Sequence, residues 1–284
     1  MSSSSAGGVA PGGEVAPGAV PPSPAVLAAF GADGPPTLLP GGQGSSWRAG
    51  PLVLKPVTTG DEPTQRWLHQ VARPAVTEPG VRLAFPVPTG AGEALSDGWA
   101  ATVWLAGEQP VGRWDERAQV ARTCARALAP VDFRQMPRRE DPWASADRAA
   151  WDESDAAPLG DHPLARAVRP VPGDHGAVDE AQVVHGDLAG NTLLHPSLPP
   201  AVIDLSLFVR PVEWSVAVLA VDLVAFEDAP MELLRSISAD PGFAHLVARA
   251  LLFRMTTDIF LGGSPHPAYA PVAEAVLSVL AQQR

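Results

Sequence analysis

A single cysteine, Cys124, rules out an intrachain disulfide framework and suits a reducing compartment. Basic residues are few, 20 against 31 acidic ones, for a formal net charge of -11. A nucleic-acid partner, which requires cationic stripes to displace counterions, is therefore not expected. Long apolar runs are missing too. The longest, from Ser215 to Phe226, is interrupted by Asp222 and is too short to span a bilayer, so no membrane partner is expected. The opening MSSSSAGGVAPGGEVAPGAVPP has neither a basic region nor an apolar core, so it does not read as a signal peptide. Its small, turn-forming residues cannot bury enough surface to offset the entropy of ordering, and residues 1–23 are expected to form a disordered tail. A soluble, cytoplasmic protein is expected.

Lysine is the scarcest cation. Lys55 is the only one, and arginine supplies every other basic side chain. A position that keeps lysine in such a sequence is a candidate for chemistry that needs a compact ammonium on a flexible stem rather than a planar guanidinium. The bland alternative is a surface lysine that survived by chance, and only the surroundings of Lys55 decide between the two.

What the chain does contain falls into two parts. Hydrophobic residues make up 46% of it, enough for one large core or two coupled smaller ones. After a short helix at Pro24–Phe30 come β-branched or alternating segments at Thr37–Leu39, Ser45–Ala49, Leu52–Val57, Arg82–Val87 and Trp99–Leu105. Gly and Pro clusters separate them, which predicts a small antiparallel sheet with one helix, Pro63–Ala72, inserted. From Trp114 the pattern turns helical: Trp114–Leu128, Asp141–Asp152, Glu213–Phe226, Met231–Ile237, Phe243–Thr257 and Pro267–Gln282. A β-rich island, Gln182–Ser206, interrupts the helices. The expected class is α+β in two lobes, 24–106 and 107–284, with the connector near Gly107–Gly112.

Three pieces carry chemistry. The first is the turn GGQGSSW, with Gly41, Gly42, Gln43, Gly44, Ser45 and Ser46, followed by Lys55 on the next strand. Glycines let a turn approach phosphate oxygens so that backbone N–H groups face the anion, and a lysine alongside can reach the same oxygens. The second is HGDLAGN, His185 to Asn191. Phosphoryl transfer to a hydroxyl needs a carboxylate to orient the nucleophile and accept its proton, here Asp187, and an amide oxygen for magnesium, here Asn191. His185 is expected to brace the loop rather than react. The third is PAVIDLS, where Asp204 ends an apolar strand and can bridge magnesium to phosphates. A hairpin of Thr192–His195 and Ala201–Ile203 would bring Asn191 and Asp204 together.

In this order, the pieces resemble the aminoglycoside phosphotransferase and choline-kinase-like family, relatives of the protein kinases, over roughly Leu38 to the C-terminus. The resemblance implies a two-lobed protein-kinase-like fold with a small antiparallel first lobe and a larger, mainly helical second lobe. It implies a kinase using ATP and Mg2+ on a hydroxylated small molecule, cationic or sugar-like. Lys55 becomes the phosphate clamp, Asp187 the catalytic base with His185 beside it, and Asn191 and Asp204 the magnesium ligands. The adenine is expected at Trp104, Leu105 and Ala106. Two features depart from the family pattern. The family's asparagine follows its aspartate by five residues, whereas Asn191 follows Asp187 by four, and Arg66 stands where an acidic partner for the lysine is usual. A non-catalytic nucleotide-binding module is the alternative.

Other residues have plainer roles. Asp222, alone on an apolar helix, should find a partner or brace the catalytic loop. Trp143 and Trp151 are expected in the core, with a stacking wall for a substrate as the second option. Cys124 should be packing, and the seven histidines show no metal-ligand spacing.

Overall fold

A computed structural model describes residues 20–40, 44–77, 80–154, 158–168 and 181–282. The tail up to residue 19 and the turn residues Gly41, Gly42 and Gln43 lie outside the described residues. Two compact units form, one from Met1–Pro74 with Ala84–Leu105, the other from Ala75–Leu83 with Ala106–Arg284.

The first unit opens with helix α1, Pro24–Phe30. Ser23 caps it, its hydroxyl accepting from the Val26 N–H at 3.3 Å, Pro24 fits the first turn, and Gly31 ends it in a left-handed conformation. Strands β1 (Thr37–Leu38), β2 (Trp47–Ala49) and β3 (Leu52–Pro56) follow, then helix α2 (Glu62–Trp67). The expected single helix there widens into a π-helical turn over Leu68–Ala72 before the short α3, Arg73–Ala75. Strand β4 is Arg82–Leu83 and β5 is Trp99–Val103. The sheet runs β1-β2-β3-β5, antiparallel throughout. Leu52 and Leu54 point to one face, where they meet Val26, Phe30, Ala49 and Ala101; Val53 and Lys55 alternate to the other.

One expected strand of this sheet is absent from it. Only Arg82–Leu83 of the segment Arg82–Val87 forms a strand, and it belongs to the second unit. Its Arg82 side chain donates to the Pro199 and Ala106 carbonyls at 2.8 and 2.7 Å. Further on, Pro86 lacks an N–H for a ladder and makes only a bridge to Thr102.

The second unit continues with α4 (Trp114–Leu128), a 3-10 turn at Phe133–Gln135, α5 (Pro142–Ala150) and α6 (Pro163–Ala167), which the sequence pattern did not reveal. Then come β6 (Gln182–His185), β7 (Thr192–Leu193), β8 (Ala201–Val202) and β9 (Leu207–Arg210). β6 pairs antiparallel with β9, while β8 lies between β7, antiparallel, and β4, parallel. The helices α7 (Val212–Phe226), α8 (Leu233–Ser236), α9 (Phe243–Phe260) and α10 (Tyr269–Gln282) complete it. α7 is apolar on every side, and Trp214 to Leu223 are all buried, as a helix passing through the middle of a unit requires. α9 packs on α5, α7 and α10. Among the described residues no helix is long and apolar enough to cross a membrane.

Candidate active site

The HGDLAGN loop leaves β6 with its backbone tied on several sides. His185 is 1% exposed. Its Nδ1 accepts the Asp187 N–H at 3.0 Å, and its Nε2 lies 3.1 Å from the Asp204 carbonyl and 3.3 Å from the Ser206 N–H. Burial pushes the His185 pKa below the usual histidine range, which keeps the ring neutral. The Ser215 hydroxyl donates to the His185 carbonyl at 2.5 Å. The histidine is thus a brace that joins the Asp187 segment to the Asp204 segment, and both of its nitrogens are engaged by backbone.

Gly186 is needed for space. A Cβ there would stand 2.6 Å from the Phe208 ring and 3.2 Å from Trp214. Those two rings and Phe253 form a cluster with centroids 5.5 Å apart, Phe208 edge-on to both others and Trp214 tilted against Phe253, a floor that the loop rests on directly.

Asp187 is aimed by two side chains. Asn191 Nδ2 donates to Asp187 Oδ2 at 3.0 Å and to the Asp187 carbonyl at 2.8 Å. Arg254, on α9, donates from Nη2 to Asp187 Oδ1 at 2.8 Å. The same guanidinium forks onto both carboxylate oxygens of Asp222, with Nε to Oδ1 at 2.9 Å. Burial alone would depress Arg254, but the carboxylates of Asp222 and Asp187 hold it above the ordinary arginine value. Asp222 therefore has the partner its place on α7 demanded, and it reaches the loop through that arginine rather than directly.

The shortened Asp187–Asn191 loop is closed rather than broken. Asn191 N–H donates to the Leu188 carbonyl at 3.2 Å and the Thr192 hydroxyl to the same carbonyl at 3.0 Å. Two outside side chains take the remaining carbonyls: Arg117 Nη2 donates to Ala189 at 2.6 Å, and Gln109 Nε2 to Gly190 at 2.5 Å. Arg117 is itself wholly buried and forked onto Glu227.

The hairpin β7–β8 pairs Thr192 with Val202 and Leu193 with Ala201. Ile203 N–H donates to the Asn191 carbonyl at 2.9 Å, so Asp204 begins one residue beyond a direct bond to Asn191. Asp204 has φ 53°, a left-handed conformation that aspartate tolerates better than most residues and that recurs where a side chain must be turned out for a purpose. Among the described residues no group of three or more His, Cys, Asp or Glu could hold a metal ion by itself. The donors present are instead one carboxylate and one amide. The NH2 end of Asn191 is spent on Asp187, which leaves its carbonyl end for a cation. Two such oxygen ligands suit magnesium that arrives with phosphates, since that ion keeps most of its coordination for phosphate and water.

In the first unit, Lys55 lies on β3 opposite Ala100, on the sheet face away from the aliphatic core. The Ser46 carbonyl accepts the Leu39 N–H at 2.8 Å, with Ser45 beside it and Gly44 at φ 68°. Trp104 N–H donates to the Pro51 carbonyl at 2.7 Å, and the Arg48 guanidinium lies 4.3 Å from its ring centre. Leu105 and Ala106 follow directly, the Ala106 carbonyl being the one that Arg82 holds. Arg66 pairs with Glu62 and Glu93, both at 3.6 Å.

Sequence reasoning passed over Arg254, Arg117 and Gln109. Each lies on a helix or connector, and the loop residue it bonds lies 67 or more residues away. The only available signal is a charge in an apolar helix, plain for Asp222 and less so for Arg254, about three turns into α9. The Trp151 ring already carries two guanidiniums, Arg210 at 4.8 Å and Arg249 at 4.5 Å from its centre. Asp147, from the same acidic stretch, is buried and forked onto Arg210. Cys124 is buried, and burial pushes its thiol up to about 12, which leaves no thiolate for chemistry.

No protein-family model matches this chain, and no curated protein does either. Solved structures do. A spectinomycin phosphotransferase crystallised with ADP and spectinomycin aligns over 91% of this chain and 92% of its own, at 14% identity and a TM-score of 0.52. A thermostable mutant of aminoglycoside phosphotransferase APH(4)-Ia, in complex with AMP-PNP and hygromycin B, gives 90% and 96%, 13% identity and 0.57. The choline kinase LicA from Streptococcus pneumoniae gives 87% and 93%, 12% identity and 0.53. Mixed helix and antiparallel sheet, in the order the motifs required, thus form the protein-kinase-like fold shared by aminoglycoside phosphotransferases and choline kinases.

Proposed function

We propose that the chain is a phosphotransferase that moves the terminal phosphoryl group of magnesium-bound ATP to a hydroxyl of a small polar molecule. The observation that carries this reading is the HGDLAGN loop. Its carboxylate and amide are held together at 3.0 Å, with Asp204 one residue beyond a backbone bond to the same asparagine. That the solved structures of this fold include enzymes complexed with ADP or AMP-PNP, and with spectinomycin or hygromycin B, supports it further.

In this reading Asp187 receives the acceptor. Its side chain is 44% exposed, the more accessible end of the Arg254 pair, so a hydroxyl can approach it. Asp187 orients that hydroxyl and takes its proton as the new oxygen–phosphorus bond forms and the bond to the bridging oxygen breaks, releasing ADP. Asn191 and Asp204 would hold magnesium, which supplies charge neutralisation to the phosphates. Lys55, with the backbone of Gly44, Ser45 and Ser46, would clamp those phosphates, and Trp104 to Ala106 would receive the base. Catalysis then rests on positioning and charge rather than a covalent intermediate. The acceptor is expected to be cationic or sugar-like, and the site of action the cytoplasm.

The test is transfer from terminally labelled ATP to a panel of amino alcohols, aminocyclitols and sugars. Wild-type protein should label at least one acceptor in a magnesium-dependent way, and Asp187→Asn should not. Undiminished labelling by that variant overturns the assignment. Nucleotide binding without transfer to any acceptor, or to water, identifies the non-catalytic module instead.

A further inference from the structure

We propose that Arg254 is a positioning residue for Asp187, with Asp222 as its anchor. The inference deepens the phosphotransferase reading and rests on it. A buried arginine forked onto a buried aspartate is already a complete ion pair, and Asp222 would satisfy Arg254 by itself. The guanidinium nevertheless sends a third bond from Nη2 to Asp187, across 67 residues of sequence and onto a carboxylate with substantial access to solvent. The two ends differ in setting. Arg254 and Asp222 have side chains 10% and 8% exposed, on two long helices that pack on each other, so the donor is fixed before Asp187 is considered.

The consequence for Asp187 is geometric. Arg254 holds Oδ1 and Asn191 holds Oδ2, which together fix the plane of the carboxylate. Each carboxylate oxygen has a second lone pair, so the incoming hydroxyl still finds an acceptor, now at a set direction. Lysine could do this only in part. The planar fork of arginine serves three acceptor atoms at once, whereas an ammonium is a point charge that chooses among them. There is also an electrostatic consequence. Two carboxylates and one guanidinium carry a net single negative charge, against two without Arg254, so the cluster repels arriving phosphates less than the two carboxylates would unpaired.

A purely structural role, in which Arg254 only neutralises Asp222, makes a different prediction, and one pair of substitutions separates them. Arg254→Met alone strands the buried Asp222 and risks unfolding. The double variant Asp222→Asn with Arg254→Met removes both buried charges together and should keep a near wild-type Tm. Turnover is measured with magnesium–ATP, using water as the acceptor if no better one is known.

Positioning predicts that the double variant loses at least thirtyfold in kcat while the KM for ATP stays within threefold. Arg254→Lys should recover part of that loss. A double variant with normal Tm and kcat within threefold of wild type overturns the proposal. A second readout needs no turnover: the side-chain amide resonances of Asn191, assigned by NMR in the resting protein, should move when Arg254 is replaced, because Asp187 loses its fixed direction. Unmoved resonances also overturn the proposal. Wild-type protein that binds ATP but transfers to nothing defeats the phosphotransferase reading by itself, and the resonance shift still decides whether Arg254 orients Asp187.

Discussion

The two units are stabilised by different means, and the difference follows what each has to do. The first unit has an aliphatic core, Val26, Phe30, Ala49, Leu52, Leu54 and Ala101, with no ionisable group in it. The second buries Arg117, Asp147, His185, Asp222 and Arg254 among its apolar residues. Aliphatic contacts are non-directional and hold a shape; hydrogen-bonded buried charges cost desolvation but fix where a side chain points. The sheet of the first unit needs only to present strands and a turn. The loop of the second must aim one carboxylate, and Arg117, His185, Asp222 and Arg254 each bond to that loop or to a residue that does.

This contrast can be broken at several points. Asp187→Asn should reduce phosphoryl transfer by about 10³-fold with an unchanged Tm, as expected when a general base is lost from an intact site. Arg117→Met should destabilise the second unit by about 3 kcal/mol in denaturant titration, because it leaves Glu227 and the Ala189 carbonyl without their donor. Leu54→Ala should cost a comparable 2 to 5 kcal/mol, roughly the usual range for a fully buried leucine, yet leave kcat per folded molecule nearly unchanged. If Leu54→Ala instead abolishes transfer in folded protein, the division of labour between the units is wrong.

Gly186→Ala should cost about 1 to 3 kcal/mol by overpacking against Phe208 and Trp214, and should lower activity as the loop shifts. The smallest effect concerns pH. The folded pKa of His185 is depressed, so the unfolded chain takes up a proton that the folded one refuses. Stability is fully present above the unfolded value near pH 6.5 and falls below it, by at most about 1.4 kcal/mol per pH unit, until the folded pKa is reached. His185→Asn, whose amide oxygen can replace Nδ1 as acceptor, should remove that part of the slope between pH 6.5 and 5, as read from denaturant midpoints.

Much of the site was legible in the sequence because its pieces are local. The strand before His185, the Asp–Asn spacing and the hairpin that brings Asn191 to Asp204 all lie within a short stretch, where pairing follows from chain geometry. The first sheet was legible for the same reason, since β2 and β3 are joined by a tight turn and the register follows from it. Two kinds of feature were not. Arg82–Leu83 has the alternation of a strand, but alternation says nothing about the partner, and its ladder is with β8, more than a hundred residues away. The bonds that Arg254, Arg117 and Gln109 send to the HGDLAGN loop span 67 to 81 residues, and an arginine on a helix looks the same in sequence whether it faces water or such a loop. Lys55 stood out by being the sole lysine, a compositional accident that the buried arginines did not share.

The most direct measurement is calorimetric titration of ATP with and without magnesium into wild-type protein, Lys55→Met and Asp204→Asn. The account predicts that magnesium tightens ATP binding to the wild type, that Asp204→Asn removes this dependence on the metal, and that Lys55→Met weakens binding while keeping it. Nucleotide binding that is indifferent to magnesium in the wild type, or unaffected by both substitutions, would contradict it.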